Sequence, residues 1–150
     1  VEWWHQSAAA AWQAARQQEG ASAEALAEVL RTLNHPQCAV MFSAAGDYTE
    51  VWRERVFEVI VDGVWLTGVF DRVLVARDAK GRVTQAWVID FKTDRAGPSD
   101  GGRAAVAKHA GQLNLYRRVA AILTGLPLAQ VECSLVLTAG PSLVMVPQSV

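Results

Sequence analysis

A chain of 150 residues with 51% apolar and 19% charged side chains has an ordinary globular balance and is long enough to bury a core without staples. The formal net charge of −1 excludes a globally basic nucleic-acid binder, although a local patch can still hold phosphates and a carboxylate metal site would itself lower the charge. No stretch reaches the roughly 18 apolar residues of a membrane span and no signal peptide opens the chain, so no membrane partner is expected.

The elements read in chain order as follows. Residues 2–19 carry Trp4, Ala8, Ala11, Trp12 and Ala15 at helical spacing, and Gly20 closes that helix. Ser22 can cap a second helix whose apolar face is Ala25, Leu26, Val29, Leu30 and Leu33. Asn34-His35-Pro36 is a stop and turn, a short segment runs through Phe42, and Gly46-Asp47 turns the chain again. Residues 49–60, 64–76 and 83–92 read as strands, joined by turns at Asp62-Gly63 and Asp78–Gly81. Residues 95–102 are a loop, and 103–124 form a long helix carrying Val106, Ala110, Leu113, Tyr116 and Ala120, ended by Gly125-Leu126-Pro127. Residues 130–138 and 142–147 are the final strands.

The order α-α-β-β-β-α-β-β, with one helix between the third and fourth strands, permits a crossover. The fold class expected is α/β, a central mixed sheet flanked by helices, in a single domain spanning 1–150. Cys38 and Cys133 have no paired spacing, which excludes a structural zinc site and a thiolate cluster and suggests buried, reduced thiols in a cytoplasmic protein. The chain opens on Val rather than Met and reads as a domain excised from a larger protein.

Three stretches can carry chemistry. In Val88-Ile89-Asp90-Phe91-Lys92-Thr93-Asp94, alternation puts Asp90 and Lys92 on one strand face, an expensive pair at the end of an apolar strand. A plain Asp–Lys pair at a solvated strand end is the alternative. In Gly68-Val69-Phe70-Asp71-Arg72-Val73, Asp71 interrupts another apolar run. A hairpin about Asp78–Gly81, widened by one or two residues, brings Asp71 nearly opposite Asp90. Two carboxylates so placed repel unless a hard cation such as Mg²⁺ or Mn²⁺ joins them. An ion pair of Asp71 with Arg72 or another arginine is the alternative there. A Lys two residues after the second acid can orient a water or steady charge on a phosphate.

On the long helix, Lys108, Gln112 and Tyr116 recur every four residues and could track a phosphate backbone, or Tyr116 could simply pack while Gln112 meets solvent. Glu54 on the first strand could face Asp71. The glycine-rich loop at 97–102 has no following Lys-Ser/Thr, so no nucleotide site is expected, and GxSxG, HExxH and a Cys–His pair are absent.

Glu54, GVFDRV at 68–73, VIDFKTD at 88–94 and the Gln112–Tyr116 pair, in that order, resemble the PD-(D/E)XK nuclease superfamily. The likeness is to the RecB/AddA-type nuclease domain fused to the C-terminus of UvrD-like helicases. It runs from about residue 50 to 120, and DFKT followed by QLxLY is its most specific part. The resemblance implies a restriction-endonuclease-like fold and an Mg²⁺- or Mn²⁺-dependent deoxyribonuclease. Asp71, Asp90 and the backbone carbonyl of Phe91 would hold the metal, and Lys92 would position the attacking water. Gln112 and Tyr116 would support the site and the DNA strand, with Lys108 alongside. In RecB-like members a His on an early helix adds a ligand; His5 is the candidate, ahead of His35 and of His109, which sits one residue off the Lys108–Gln112–Tyr116 face. The four cysteines of the iron–sulfur branch are missing, so no such cluster is expected. The implied partners are single-stranded DNA ends and a helicase domain in the same polypeptide, with a role in repair or recombination. A nuclease-fold module that binds DNA or a helicase without cutting is the second reading.

Overall fold

The computed structural model describes residues 6–42, 48–94 and 100–148. Their elements are α1 (Gln6–Gln18), α2 (Ala23–Asn34), α3 (Pro36–Ala39), β1 (Tyr48–Val61), β2 (Val64–Arg77), β3 (Val83–Lys92), α4 (Arg103–Thr124), a 3-10 turn at Leu128–Gln130, β4 (Val131–Leu137) and β5 (Ser142–Met145). The expected order holds. The segment after Asn34 adds one short helix, started by Pro36, whose missing N–H costs nothing in a first turn. The turn expected at Gly46-Asp47 and the loop at 95–99 lie outside the described residues.

The sheet runs β1-β2-β3-β4-β5. Only β3 and β4 are parallel, and α4 makes the crossover between them, so the sheet is mixed as expected. Alternation along β3 divides the core. Ala86 and Val88 face α4 together with Val73, Val75, Cys133, Leu135 and Leu113. Trp87 and Ile89 face the other way, onto Cys38, Met41, Leu74 and Val136. Buried on both faces, β3 reads as a continuous apolar run for that reason.

Local chemistry sets the helix ends. The Ser22 hydroxyl accepts from the Ala25 N–H at 3.1 Å, which caps α2. Asp100 does the same for α4, accepting from the N–H groups of Gly102 and Ala104 at 2.9 and 3.2 Å. Gly125, at φ 71°, ends α4, and Leu126 N–H reaches back to Ala121 C=O at 3.1 Å. Arg117 is the buried cation of α4: its guanidinium donates to the carbonyls of Val131, Val146 and Pro147 and to the Asn114 side chain, tying the helix to both ends of the β4–β5 hairpin. Both cysteines are free and buried. Burial pushes the Cys133 thiol up to about 12.

The β1–β2 hairpin changes faces midway. Near the sheet, Trp52, Val73 and Val75 point to α4; farther out, Phe57, Val59, Val61 and Phe70 do. The intervals from 52 to 57 and from 70 to 73 are odd, so alternation breaks on both strands at once. The break falls at Glu54, whose φ of 44° is left-handed, and at Asp71 opposite it. Beyond the break the hairpin curls over α4, where Phe57 and Phe70 meet Tyr116 edge-on at 5.6 and 5.3 Å between ring centroids. Gly68 permits this: a Cβ there would lie 2.5 Å from the Phe57 ring.

Candidate metal and nuclease site

The β2–β3 ladder fixes the two acids. Its pairs run from Ala76↔Gln85 to Arg72↔Ile89, which makes Asp71 and Asp90 the next rung. The extra residue that the turn needed is a register shift between Ala76 and Arg77. On β1 the pairs Arg53↔Arg72 and Arg55↔Phe70 bracket Glu54 and Asp71, so Glu54 occupies the same rung. Asp90 follows Ala86 and Val88 at period two on the face toward α4, while Asp71 sits at the break in β2 alternation, close enough for its charge to act on Asp90.

The two carboxylates are held differently. Asp71 Oδ2 accepts the Phe91 backbone N–H at 2.9 Å, which folds its side chain across to β3. Arg72 turns to the opposite face, where its Nε donates to Met41 C=O at 2.9 Å, and among the described residues Asp71 makes no ion pair. This excludes the Asp71–Arg72 pair as the reason for the acid. Asp90 is 3% exposed. Lys92 Nζ lies 2.7 Å from Asp90 Oδ2, as same-face spacing required, and this ion pair partners the buried oxygen. Burial raises the Asp90 carboxyl above its usual range, against the pull of Lys92, and the negative charge of Asp71 raises it further.

A buried carboxylate beside a second carboxylate offers hard oxygen donors of the kind a divalent cation takes. Asp71 and Asp90 fit such an ion as a pair, with Phe91 between Asp90 and Lys92 in the DFK run. Among the described residues no group of three or more His, Cys, Asp or Glu converges as a metal site. His5, the early-helix candidate, lies outside the described residues.

The helix residues divide. Gln112 Nε2 donates to the Tyr116 hydroxyl at 3.1 Å, so the pair is joined as its spacing implied. The Tyr116 ring is also packed, against Phe57 and Phe70, while Gln112 is exposed. Lys108 reaches back to Asp94 at 2.7 Å, and His109 Nε2 meets the other Asp94 oxygen at 3.0 Å. These two contacts hold Asp94 down to about 2 and clamp the end of β3 to the first turns of α4. His109 also lies close enough for its positive charge to favour ionised Asp90. Sequence reasoning set His109 aside and gave Asp94 no role. The available signal was an acid two residues past Lys92, followed by adjacent Lys and His on the next helix.

The profile of the PD-(D/E)XK nuclease superfamily matches residues 2–141. The chain belongs to this superfamily. Its five-stranded mixed sheet and flanking helices are the restriction-endonuclease-like fold of a PD-(D/E)XK protein. The matched span includes Asp71 and the Asp90-Phe91-Lys92 run. A comparison with curated proteins found no match. PD-(D/E)XK proteins are as a rule hydrolytic nucleases that act on DNA with Mg²⁺ or Mn²⁺. Among the described residues no helix is long and apolar enough to cross a membrane.

Proposed function

We propose that the chain is a metal-dependent deoxyribonuclease that hydrolyses phosphodiester bonds. The observation that carries this reading is the approach of Asp71 to buried Asp90 at the end of the β2–β3 ladder, with Asp71 bonded to the Phe91 N–H and Lys92 Nζ 2.7 Å from Asp90 Oδ2. Asp71, Asp90 and the Phe91 carbonyl would hold Mg²⁺ or Mn²⁺. Bound there, the ion would supply Lewis acidity to a phosphate and neutralise charge on the leaving oxygen. The chain's own groups do the rest. Lys92 orients the attacking water and steadies developing charge, its ammonium fixed by Asp90. The Phe91 N–H fixes the rotamer of Asp71, and the Asp94–Lys108–His109 clamp fixes where β3 ends relative to α4. Gln112 and Tyr116 support the strand next to the site, on a helix wedged against Phe70, the neighbour of Asp71. The finer assignment is to the nuclease module of a helicase-nuclease acting on single-stranded DNA ends in repair or recombination, with a helicase domain in the same polypeptide; its support is the DFKT and QLxLY resemblance.

An end-labelled single-stranded DNA oligonucleotide tests this reading. The wild-type chain should cleave it with Mg²⁺ or Mn²⁺ and not with EDTA, and Asp90→Asn should abolish cleavage while remaining folded. Equal cleavage by Asp90→Asn would overturn the assignment. Metal-independent binding with no cleavage by the wild-type chain would instead favour the non-cutting DNA-binding module.

A further inference from the structure

The rung next to the acids is basic and faces the other way. Arg53 and Arg72 are direct partners across β1 and β2, one step before Glu54, Asp71 and Asp90. Like charges directly opposite in a sheet destabilise it unless a counter-charge joins them. None is built in. Among the described residues neither arginine has a carboxylate partner; Arg72 donates only to the Met41 carbonyl. Arg72 is partly buried, with Arg53 directly across from it.

Both arginines line a cavity of about 460 Å³, with Leu33 and Phe42 as its apolar wall. The volume is that of a small-ligand pocket, and its charge calls for an anion. Arg72 also stands over the Phe42 ring, 5.2 Å from its centroid, which holds the guanidinium plane beside the opening.

The place matters as much as the charge. The regular β2–β3 ladder ends at Arg72↔Ile89, where the hairpin begins to curl away toward α4. Arg53 and Arg72 therefore stand one residue along the chain from Glu54 and Asp71, at the end of the ladder. A polyanion crossing that end meets both the arginines and the carboxylate pair.

We infer that Arg53 and Arg72 form a docking site for a backbone phosphate of the DNA strand, one that anchors the strand outside the carboxylate pair. This rests on the nuclease reading for the identity of the polyanion. It does not use the cleavage chemistry, because the site holds the strand without metal. Two guanidiniums suit a phosphate through paired N–H donors, and the Phe42–Leu33 wall suits the face of the attached nucleotide.

The test measures binding of a fluorescent single-stranded DNA oligonucleotide in EDTA, so that cleavage plays no part, across a salt series. Arg53 is exposed and makes no hydrogen bond that the fold needs, so Arg53→Gln is the primary variant, with the melting temperature checked. Arg53→Gln should weaken binding about tenfold or more and lower the slope of log K against log salt by about 0.7, the loss of one phosphate contact on a single strand. Arg53→Lys should recover part of the affinity and the full slope. Lys80→Gln, in the turn at the far end of the β2–β3 hairpin, should change neither. Inorganic phosphate separates the two sources of the anion. Competition of phosphate with the oligonucleotide that disappears in Arg53→Gln supports the proposal. Thermal stabilisation by phosphate that Arg53→Gln removes, with oligonucleotide binding untouched, means a free-anion site and overturns it. An unchanged affinity and slope in a folded Arg53→Gln overturns it as well. If the wild-type chain binds the oligonucleotide through Arg53 yet never cleaves with metal, the nuclease reading fails and the docking site stands.

Discussion

Two aspartates at opposite ends of the β2–β3 hairpin show how the same side chain becomes structural or chemical. Asp78, in the turn, is supplied with donors. Its Oδ1 accepts the N–H groups of Lys80 and Arg82 at 2.9 Å, and Arg82 bonds its Oδ2 at 2.8 Å. Those bonds lower its carboxyl below the usual range. Asp90, at the other end, is buried and raised, and its Oδ2 is paired with the Lys92 ammonium at 2.7 Å. A carboxylate that closes a turn has its lone pairs satisfied by backbone. A buried one with few backbone donors leans on the cation beside it, and burial raises its pKa.

The sharpest way to break this comparison is to neutralise each acid in turn. Asp90→Asn should take metal-dependent cleavage below detection without lowering the melting temperature, since it removes a buried charge. Asp78→Asn should cleave like wild type and melt lower. A loss of cleavage in Asp78→Asn with the fold intact would erase the distinction. Next in size, Lys92→Ala should lower kcat by about 100-fold or more, the scale on which a positioned proton-handling group works. Single-turnover cleavage under saturating DNA reads this, and an effect confined to KM would remove Lys92 from the chemistry.

Metal itself sharpens the contrast. At about 100 times its dissociation constant, Mg²⁺ or Mn²⁺ should stabilise the wild-type fold by ~2.7 kcal/mol and leave Asp90→Asn nearly unmoved. Calorimetric melts across a metal titration give the answer, and equal shifts in both proteins would place the ion elsewhere. The smallest effect concerns the clamp. Asp94 titrates near 3.8 when unfolded and at about 2 in the fold. The stability it contributes is therefore present above pH 3.8 and is lost as the pH falls toward 2. Asp94→Asn should flatten that part of the pH–stability curve relative to wild type, and parallel acid-melting curves would show that the clamp adds nothing.

Much of this was legible in advance because it depends on neighbours along the chain. Period-two alternation put Asp90 and Lys92 on one face, and the structure brings them to 2.7 Å. Spacing of four joined Gln112 to Tyr116. Bringing Asp71 nearly opposite Asp90 needed one extra residue in the hairpin, and the structure supplies Thr84 on β3, skipped between the pairs Ala76↔Gln85 and Arg77↔Val83. The face change at Glu54 and Asp71 was not legible, because nothing in a Glu signals a φ of 44°. His109 was passed over because helix periodicity alone separates it from the Lys108 face. Its contact with Asp94 spans the loop from β3, a distance periodicity does not measure.

The sequence by itself determined the element order, the mixed α/β sheet, the DFK strand and its first acid, because hydrophobic period, turn residues and charged interruptions are local properties. The tertiary structure alone decided the hairpin's change of face, the cavity between Arg53 and Arg72, the clamp on Asp94 and the burial of Asp90. Each depends on which groups from distant segments arrive beside a buried charge, and that follows from packing rather than from spacing along the chain.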